Sequence, residues 1–323
     1  MNDVMPFLEN VLRGRNVPRE RMLGVAKHYQ LFGGVSPINE QNRKLIASLE
    51  QELKATGLDL PIYFGNRNWH PLLANTLRKM RDDGVQKALA FVTSAYSSYS
   101  SCRQYLEDIE RAREAVGPGA PRVEKLRAFY NHPGFIAANV ANVRAALQEI
   151  PAARRAATHL AFTAHSIPET MARNCDYEKQ LQETSRLVME GLGVENLKTE
   201  NCQLVFQSRS GSPAQPWLGP NVCDYLRTLH AGGTQDVVVA PIGFVSDHME
   251  IIYDLDTEAR ALCQELGLNM IRARTPSTHP AFVEMIRELI LERMDPQAPR
   301  RYLGTAGARA DICQPDCCRK ANC

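Results

Sequence analysis

The sequence predicts an α/β fold with two halves, each built from a parallel sheet flanked by helices. Short apolar runs alternate along the chain with longer helical patterns, which is typical of parallel strands joined by crossover helices. Glycines stand where several of these helices should end, namely Gly191, Gly193, Gly232, Gly233 and Gly267. The length of 323 residues, with 44% hydrophobic and 23% charged residues, fits a globular protein of about two domains.

The predicted elements follow one another in a regular order. Strands are expected at 60–64, 87–92, 123–129, 158–163, 203–206, 236–240 and 269–272. Helices are expected at 71–82, 103–116, 133–148, 177–190, 220–230, 248–266 and 279–293. A hinge after Pro151 divides the chain into a first half, 1–150 with the helix 279–294, and a second half, 151–278, leaving 295–323 as a linker and cysteine-rich tail.

The totals exclude several classes of protein. No apolar run approaches the roughly 18 residues of a membrane-spanning helix, and the first residues lack the basic-then-apolar order of a signal peptide. A net charge of +2 gives no overall field that would attract nucleic acid or anionic lipid. We therefore expect a cytoplasmic protein with no nucleic-acid partner and no stable membrane association.

Three predicted strands lead into polar loops. The strand 158–163 is followed by His165, the strand 203–206 by the segment 207–211, and the strand 236–240 by a loop that reaches His248. Ligands of open parallel sheets collect at the carboxyl ends of the strands. These loops are therefore expected to bring titratable side chains together at one edge of the sheet.

The helix that begins after His248 carries Glu250, Asp254 and Glu258 at intervals of four residues. On an α-helix these carboxylates share one face, and the outer two lie about 12 Å apart at a rise of about 1.5 Å per residue. Two interpretations stay open. The three carboxylates form either a path of oxygen ligands for a divalent cation or a solvated acidic face favoured by the helix dipole.

Five ordered motifs resemble the ferrochelatase family. They are 33–37 (GGVSP), 162–168 (FTAHSIP), 207–211 (QSRSG), 216–220 (PWLGP) and 241–250 (PIGFVSDHME). The resemblance extends from Asp3 to about Arg293 and implies two Rossmann-like domains with a porphyrin in the cleft between them.

The resemblance also assigns the catalytic residues. Insertion of a metal into a porphyrin requires that two pyrrole protons leave while iron arrives. His165 and Glu250 are expected to flank the Fe²⁺ ion, with the imidazole and the carboxylate on opposite sides of the macrocycle, and Asp254 and Glu258 to continue as an acidic relay. Taken alone, a histidine after a strand is more often a satisfied loop residue.

The expected substrate is coproporphyrin III. By resemblance, Ser36 and Tyr105 contact the porphyrin and its propionates. Protoporphyrin enzymes of this family carry a longer apolar lip, whereas the matching segment 7–18 is short and contains Arg13 and Arg15. Two guanidinium groups suit a substrate with four carboxylates better than one with two. Protoporphyrin IX remains the alternative substrate, and a solvated basic helix end the alternative role of the two arginines.

Four cysteines, Cys313, Cys317, Cys318 and Cys323, crowd the end of the chain. In a reducing cytosol such crowding indicates a metal site, either zinc or an iron–sulfur cluster, rather than disulfides. Resemblance to actinobacterial-type ferrochelatases adds Cys102 and implies a 2Fe–2S cluster on Cys102, Cys313, Cys317 and Cys318, with Cys323 as a substitute. A tail of free thiols is the alternative.

The start of the chain departs from the family pattern. The family begins with a buried strand and a glycine-rich loop, and Met1 to Phe7 match what should follow them. Because loss of a central strand exposes sheet edges, we expect the chain as given to be unstable or inactive. A monomer that takes coproporphyrin III and ferrous iron is expected. A non-catalytic tetrapyrrole- or iron-binding protein and an iron–sulfur electron carrier stay open as other functions.

Overall fold

A computed structural model describes residues 3–12, 19–193, 199–210 and 214–320. The strands are β1 (Lys87–Ala90), β2 (Arg122–Lys125), β3 (His159–His165), β4 (Cys202–Gln207), β5 (Asp236–Ala240) and β6 (Asn269–Arg272). The helices are α1 (Val4–Val11), α2 (Arg19–Leu31), α3 (Ile38–Ala55), α4 (Leu73–Asp82), α5 (Gln104–Val116), α6 (Pro133–Gln148), α7 (Ala152–Arg155), α8 (Glu169–Ala172), α9 (Tyr177–Leu192), α10 (Val222–Ala231), α11 (Met249–Tyr253), α12 (Arg260–Leu266) and α13 (Pro280–Met294). Two π-helical turns, Tyr99–Arg103 and Asp254–Ala259, precede α5 and α12, and a short 3-10 helix, Thr199–Asn201, precedes β4.

The larger sheet has four parallel strands in the order β4-β3-β5-β6. Alternate residues of β3 face two different apolar clusters, with Leu160, Phe162 and Ala164 on one side and Ala161 on the other. All five residues of β5 are buried. Strands covered on both faces belong to an α/β fold with helices on each side of a parallel sheet, so the predicted fold class is confirmed.

The smaller sheet pairs β1 with β2 in parallel. The strand predicted at 60–64 is wrong, because residues 57–65 adopt no regular structure. Pro61 has no N–H to give to a ladder, and the carbonyl of Phe64 accepts from the hydroxyl of Thr76 at 2.8 Å. The structure also contains helices α2 and α3, which the sequence patterns above do not single out, although the four-residue spacing of the buried Leu45, Leu49 and Leu53 in α3 fits a helix face.

One apolar core connects the two sheets. Helix α13 packs against α3 and α6. Gly134 makes the approach to α6 close, since a Cβ there would lie 2.4 Å from the carbonyl oxygen of Ala281. The hydroxyl of Tyr96 donates to the carbonyl of Ile242 at 2.8 Å, which ties the two halves together. The domain boundaries given above stay predictions.

Residues 295–320 lie along the first half. Arg127 and Glu292 form a buried ion pair at 2.7 Å, and Arg127 also donates to the carbonyl of Arg301 at 2.8 Å. The amide of Asn131 donates to the carbonyl of Gly307 at 2.9 Å. Within the described residues, no helix is both long enough and apolar enough to cross a membrane.

Candidate active site

The carboxyl ends of β3 and β4 bring His165 and Gln207 side by side. The two residues are partners in the parallel register, and the Ser166 N–H donates to the carbonyl of Gln207 at 2.8 Å. The loop after β5 crosses the end of β3 at Gly243, where an added Cβ would lie 2.6 Å from the Cα of Ala164. Only glycine allows this approach, and the loop then continues to α11, where Glu250 lies.

His165 and Glu250 meet directly. The Nε2 atom of His165 lies 3.5 Å from Oε1 of Glu250, and the two side chains remain 31% and 47% exposed. The Nδ1 atom of His165 bonds the Ser166 carbonyl, which leaves Nε2 for the carboxylate or a ligand. The hydroxyl of Tyr177 donates to the His165 carbonyl at 3.0 Å and fixes the end of β3.

This separation is smaller than the expected arrangement, with the two groups on opposite sides of a macrocycle, would need. A flat ring system held between two groups needs about 7 Å, because each face makes contact at about 3.5 Å. At 3.5 Å, the described arrangement leaves no space for a macrocycle between the two side chains. The two side chains are close enough to share one proton or to approach one cation together.

The electrostatic environment keeps both members of the pair charged. Burial alone would lower the pKa of His165, but the charge and hydrogen bond of Glu250 and the Ser166 carbonyl outweigh it and raise the pKa to about 9. Burial alone would raise the pKa of Glu250, but His165 outweighs it and lowers the pKa to about 2. Partly exposed titratable side chains whose pKa values are strongly shifted by a specific charged partner are typical of functional sites.

The predicted acidic helix begins at the expected position and then changes from an α-helix to a wider π-helical turn. His248 caps α11, since its Nδ1 accepts from the Glu250 N–H at 3.1 Å, and the segment from Asp254 to Ala259 is π-helical. Burial raises the pKa of Asp254 to about 6, although the hydroxyl of Ser208 opposes the shift. No three His, Cys, Asp or Glu side chains among the described residues are placed to hold one metal ion. Glu250, Asp254 and Glu258 therefore form a series of separate positions rather than a closed cage.

Basic side chains lie beside the carboxylate ladder, meaning Glu250, Asp254 and Glu258. Arg272 bonds Asp256 at 2.7 Å and Asp247 at 3.2 Å, and Arg260 approaches Asp256 at 3.6 Å. These contacts hold the acidic helix from its flank, and they engage Asp247 and Asp256 rather than the three ladder carboxylates.

Helix α2 contributes two residues that the sequence patterns do not indicate. The ring of His28 stacks on Tyr253 with the centroids 3.6 Å apart. Burial and the charge of Glu250 raise the pKa of Tyr29 to about 12, so Tyr29 feels the same carboxylate that faces His165. The sequence analysis could not single out His28 and Tyr29, because it did not predict the helix that carries them.

The expected porphyrin contacts lie on the first half. The hydroxyl of Ser36 accepts from the Ile38 N–H at 3.4 Å, and Gln41 in the helix that follows accepts from the Asp247 N–H at 2.8 Å. This bond connects the Ser36 region to the loop that carries Glu250. Tyr105 lies under the guanidinium of Arg67 at 4.3 Å, a partner that the sequence patterns did not reveal.

Arg13 and Arg15 lie outside the described residues.

The cysteines of the tail meet Cys102. Cys102 lies in the π-helical turn Tyr99–Arg103, and its hydrogen bond to Cys313 lowers the pKa of Cys313 to about 5. The sulfurs of Cys317 and Cys318 are 3.4 Å apart, and Cys323 lies outside the described residues. Burial raises the pKa of Cys175, and the same thiol feels the charge of Cys317, so a cysteine that was not predicted lies near the group.

This cysteine cluster, meaning Cys102, Cys313, Cys317 and Cys318, has the donors that a 2Fe–2S cluster needs. All four are free thiols, two of them buried, and four thiolates are the usual ligand set. Each iron takes two of them, so the cluster does not require three ligands around one point. Arg103 holds the tail here by donating to the carbonyls of Pro315 at 2.6 Å and Cys317 at 3.1 Å.

Comparison with known proteins adds independent findings. The profile of the ferrochelatase family matches residues 1–294. The chain is 57% identical over 318 residues to a ferrochelatase of Rhodopirellula baltica, covering 98% of this chain and 89% of that protein. It is 49% identical over 328 residues to a coproporphyrin III ferrochelatase of Nocardia farcinica, covering 98% and 92%.

Solved structures agree on the fold. SirB from Bacillus subtilis with Fe³⁺ superposes with a TM-score of 0.53 at 14% identity, covering 79% of this chain and 92% of that chain. The structure of CbiX, an enzyme of siroheme biosynthesis, gives a TM-score of 0.50 at 15% identity, covering 79% and 93%. Taken with the family match over most of its length, these findings show that the chain belongs to the ferrochelatase family of metal chelatases.

Proposed function

We propose that this ferrochelatase inserts Fe²⁺ into coproporphyrin III with release of two protons, and that His165 and Glu250 are the catalytic pair. The observation that carries the proposal is the 3.5 Å contact between Nε2 of His165 and Oε1 of Glu250, at the end of a buried strand and open to the surface. Glu250 raises the pKa of His165 to about 9, so the imidazole is protonated near neutral pH and incoming Fe²⁺ displaces that proton to solvent before Nε2 can bind the ion. The carboxylate is available from the start as an iron ligand and as an acceptor for a pyrrole proton, and the neutral imidazole then offers a second position for either role.

The ladder of carboxylates supports a route for the ion. Asp254 and Glu258 follow Glu250 along the same helix, and the charged flanking residues bind Asp247 and Asp256 instead. Because the ladder positions do not form a closed site, a cation would be bound weakly at each of them and could move on. We propose that Asp254 and Glu258 hand Fe²⁺ to the pair in this way.

Coproporphyrin III is the preferred substrate because relatives 45–49% identical to this chain carry the name coproporphyrin III ferrochelatase. The proposed contacts with the macrocycle are Ser36 and Tyr105, with Arg13 and Arg15 for the additional propionates. A guanidinium binds a carboxylate with two parallel hydrogen bonds, so each added propionate can contribute affinity.

The cysteine cluster is proposed to hold a 2Fe–2S group. When bound, this group would supply one-electron chemistry and would cross-link the tail to the first half. Cys102 is carried by the turn before α5, and Arg103 and Asn131 hold the tail in place. We further propose that the protein acts as a monomer in the cytoplasm.

The experiment that tests the function is a parallel steady-state assay. Coproporphyrin III and protoporphyrin IX are incubated anaerobically with Fe²⁺, and metalloporphyrin is followed by absorbance. We expect kcat/KM to be more than about tenfold higher for coproporphyrin III, equivalent to about 1.4 kcal/mol. A preference for protoporphyrin IX would reverse the substrate assignment, and stoichiometric binding without turnover would favour the carrier function.

A further inference from the structure

We infer that Gln207 is a positioning residue that sets the relative placement of His165 and Glu250. The inference rests on the proposed roles of these two residues. Nothing in the sequence motif distinguishes Gln207 from the other polar residues of the segment 207–211.

The backbone of Gln207 belongs to the strand pair that carries His165. Gln207 is the register partner of His165, and its carbonyl accepts from the Ser166 N–H at 2.8 Å. The Ser166 carbonyl in turn bonds Nδ1 of His165. A shift of Gln207 would therefore be transmitted to the imidazole through two hydrogen bonds.

The side chain of Gln207 contacts the acidic helix that begins after His248. Its Nε2 atom donates to the carbonyl of Glu250 at 3.0 Å and to Oδ2 of Asp254 at 3.4 Å. The same Glu250 carbonyl also accepts from the Asp254 N–H, at the point where α11 gives way to the π-helical turn. One amide group thus joins the strand end that holds His165 to the helix start that holds Glu250.

The packing of Gln207 costs stability, which argues against a purely structural role. The residue is 1% exposed, and its Oε1 atom has no hydrogen-bond partner among the described residues. An unsatisfied buried acceptor destabilises the folded state, whereas an apolar side chain of the same length would fill the space without that cost.

The next residue shows a second unfavourable feature directed at the same carboxylate. Ser208 has a φ of 61°, a conformation that residues other than glycine rarely adopt, and its hydroxyl donates to Oδ2 of Asp254. Unfavourable local features that converge on one group are typical of functional sites. Gln207 and Ser208 both restrain Asp254, and Gln207 alone also restrains Glu250.

The test uses the nearly isosteric substitution Gln207→Met, which keeps the volume and removes both hydrogen bonds. We expect kcat to fall at least about tenfold, the range for misplaced catalytic groups, while the KM for coproporphyrin III stays within about twofold and the urea midpoint is unchanged or higher. Binding of Co²⁺ alone, followed by its visible absorption, should weaken about tenfold because two ligands separate.

Gln203→Met, on the exposed part of the same strand, is the matched control and should match the wild type in every readout. Gln207→Asn keeps the amide but shortens its reach, and it should also lose turnover and Co²⁺ affinity. Wild-type kcat and Co²⁺ affinity in both Gln207 variants, with His165→Ala inactive, would overturn the inference alone. Full turnover in His165→Ala would instead overturn the proposed catalytic pair, and with it the inference.

Discussion

Two histidines in this protein show how the same side chain serves opposite purposes. His165, at the end of β3, is partly exposed and faces Glu250, which raises its pKa to about 9. His132, at the place where the tail binds the first half, has a fully buried side chain, and burial together with Arg127 and Arg301 lowers its pKa to about 3.

The contrast is instructive because both histidines have a carboxylate nearby. Glu288 lies 3.4 Å from Nε2 of His132, yet burial and the two arginines dominate there. His165 is held charged where a ligand can reach it, and His132 is held neutral where the chain is sealed. The imidazole of His165 is therefore available to a ligand, whereas that of His132 is sealed away from water.

The largest expected effect is a loss of activity when the region around His165 is changed. His165→Ala removes the imidazole of the proposed catalytic pair, and we expect kcat for metal insertion to fall by about 10²–10⁴. Porphyrin binding and the urea midpoint should stay close to the wild type, because the side chain is partly exposed. His230→Ala, in the exposed last turn of α10, is the control. Retained turnover in the His165 variant would show that this imidazole is not needed for metal insertion.

The next effect is a loss of unfolding free energy when the tail-binding region around His132 is changed. Arg127→Met leaves the carboxylate of Glu292 buried without its partner, which should cost about 3–5 kcal/mol of unfolding free energy in urea. The double variant Arg127→Met with Glu292→Leu should recover most of that loss.

The contrast with an exposed pair checks this reasoning. Lys44 and Glu40 are 64% and 69% exposed, so Lys44→Met should cost less than about 1 kcal/mol. Equal losses in the Arg127 and Lys44 variants would show that burial of the ion pair is not what stabilises the tail-binding region.

A third effect concerns the cysteine cluster. Cys102→Ser should abolish most of the bound iron and acid-labile sulfide, measured on anaerobically purified protein, because one of four thiolates is lost. Cys223→Ser, on α10, should retain both. Cys175→Ser tests whether the neighbouring thiol also serves as a ligand. A chromophore that survives Cys102→Ser unchanged would contradict the proposed ligand set.

The smallest expected effect is a pH dependence of folding. His132 is neutral in the folded protein down to a pKa of about 3, whereas its ordinary value is 6.5. Below pH 6.5 the unfolded chain therefore binds a proton that the folded chain does not, and stability falls with pH. Between pH 7 and pH 5 this group alone should cost about 2 kcal/mol.

Urea unfolding of the wild type and of His132→Gln at both pH values measures this contribution. The variant should lose about 2 kcal/mol less than the wild type over the interval. Identical losses in the two proteins would show that His132 does not titrate as described.

Much of the fold was predictable because local patterns and tertiary packing agree. The strands at 236–240 and 269–272 and the helix at 133–148 have the predicted bounds. The valine run of β5 reads as a doubly buried strand, and Pro133 reads as a helix start. The failure at 60–64 is also local, because the Phe64 carbonyl is bound by a side chain from α4.

The sequence indicated that His165 and the acidic helix would lie near each other, but it did not indicate their geometry. Residue types and the four-residue spacing single out His165 and the acidic helix. These sequence features do not give the distance between the two. We infer that the 3.5 Å separation is set by the Gln207 side chain and by the close approach at Gly243, which are contacts between residues far apart in the chain. The same holds for Arg67 and Tyr29, whose partners lie on other elements.

The central claim is that His165 and Glu250 together handle the metal. An anomalous difference map from crystals soaked anaerobically with Co²⁺ tests it most directly. We predict a peak within about 2.0–2.3 Å of both Nε2 of His165 and the carboxylate of Glu250, the usual distances for such ligands. A bound ion at other residues, with the His165–Glu250 pair still closed, would contradict the claim.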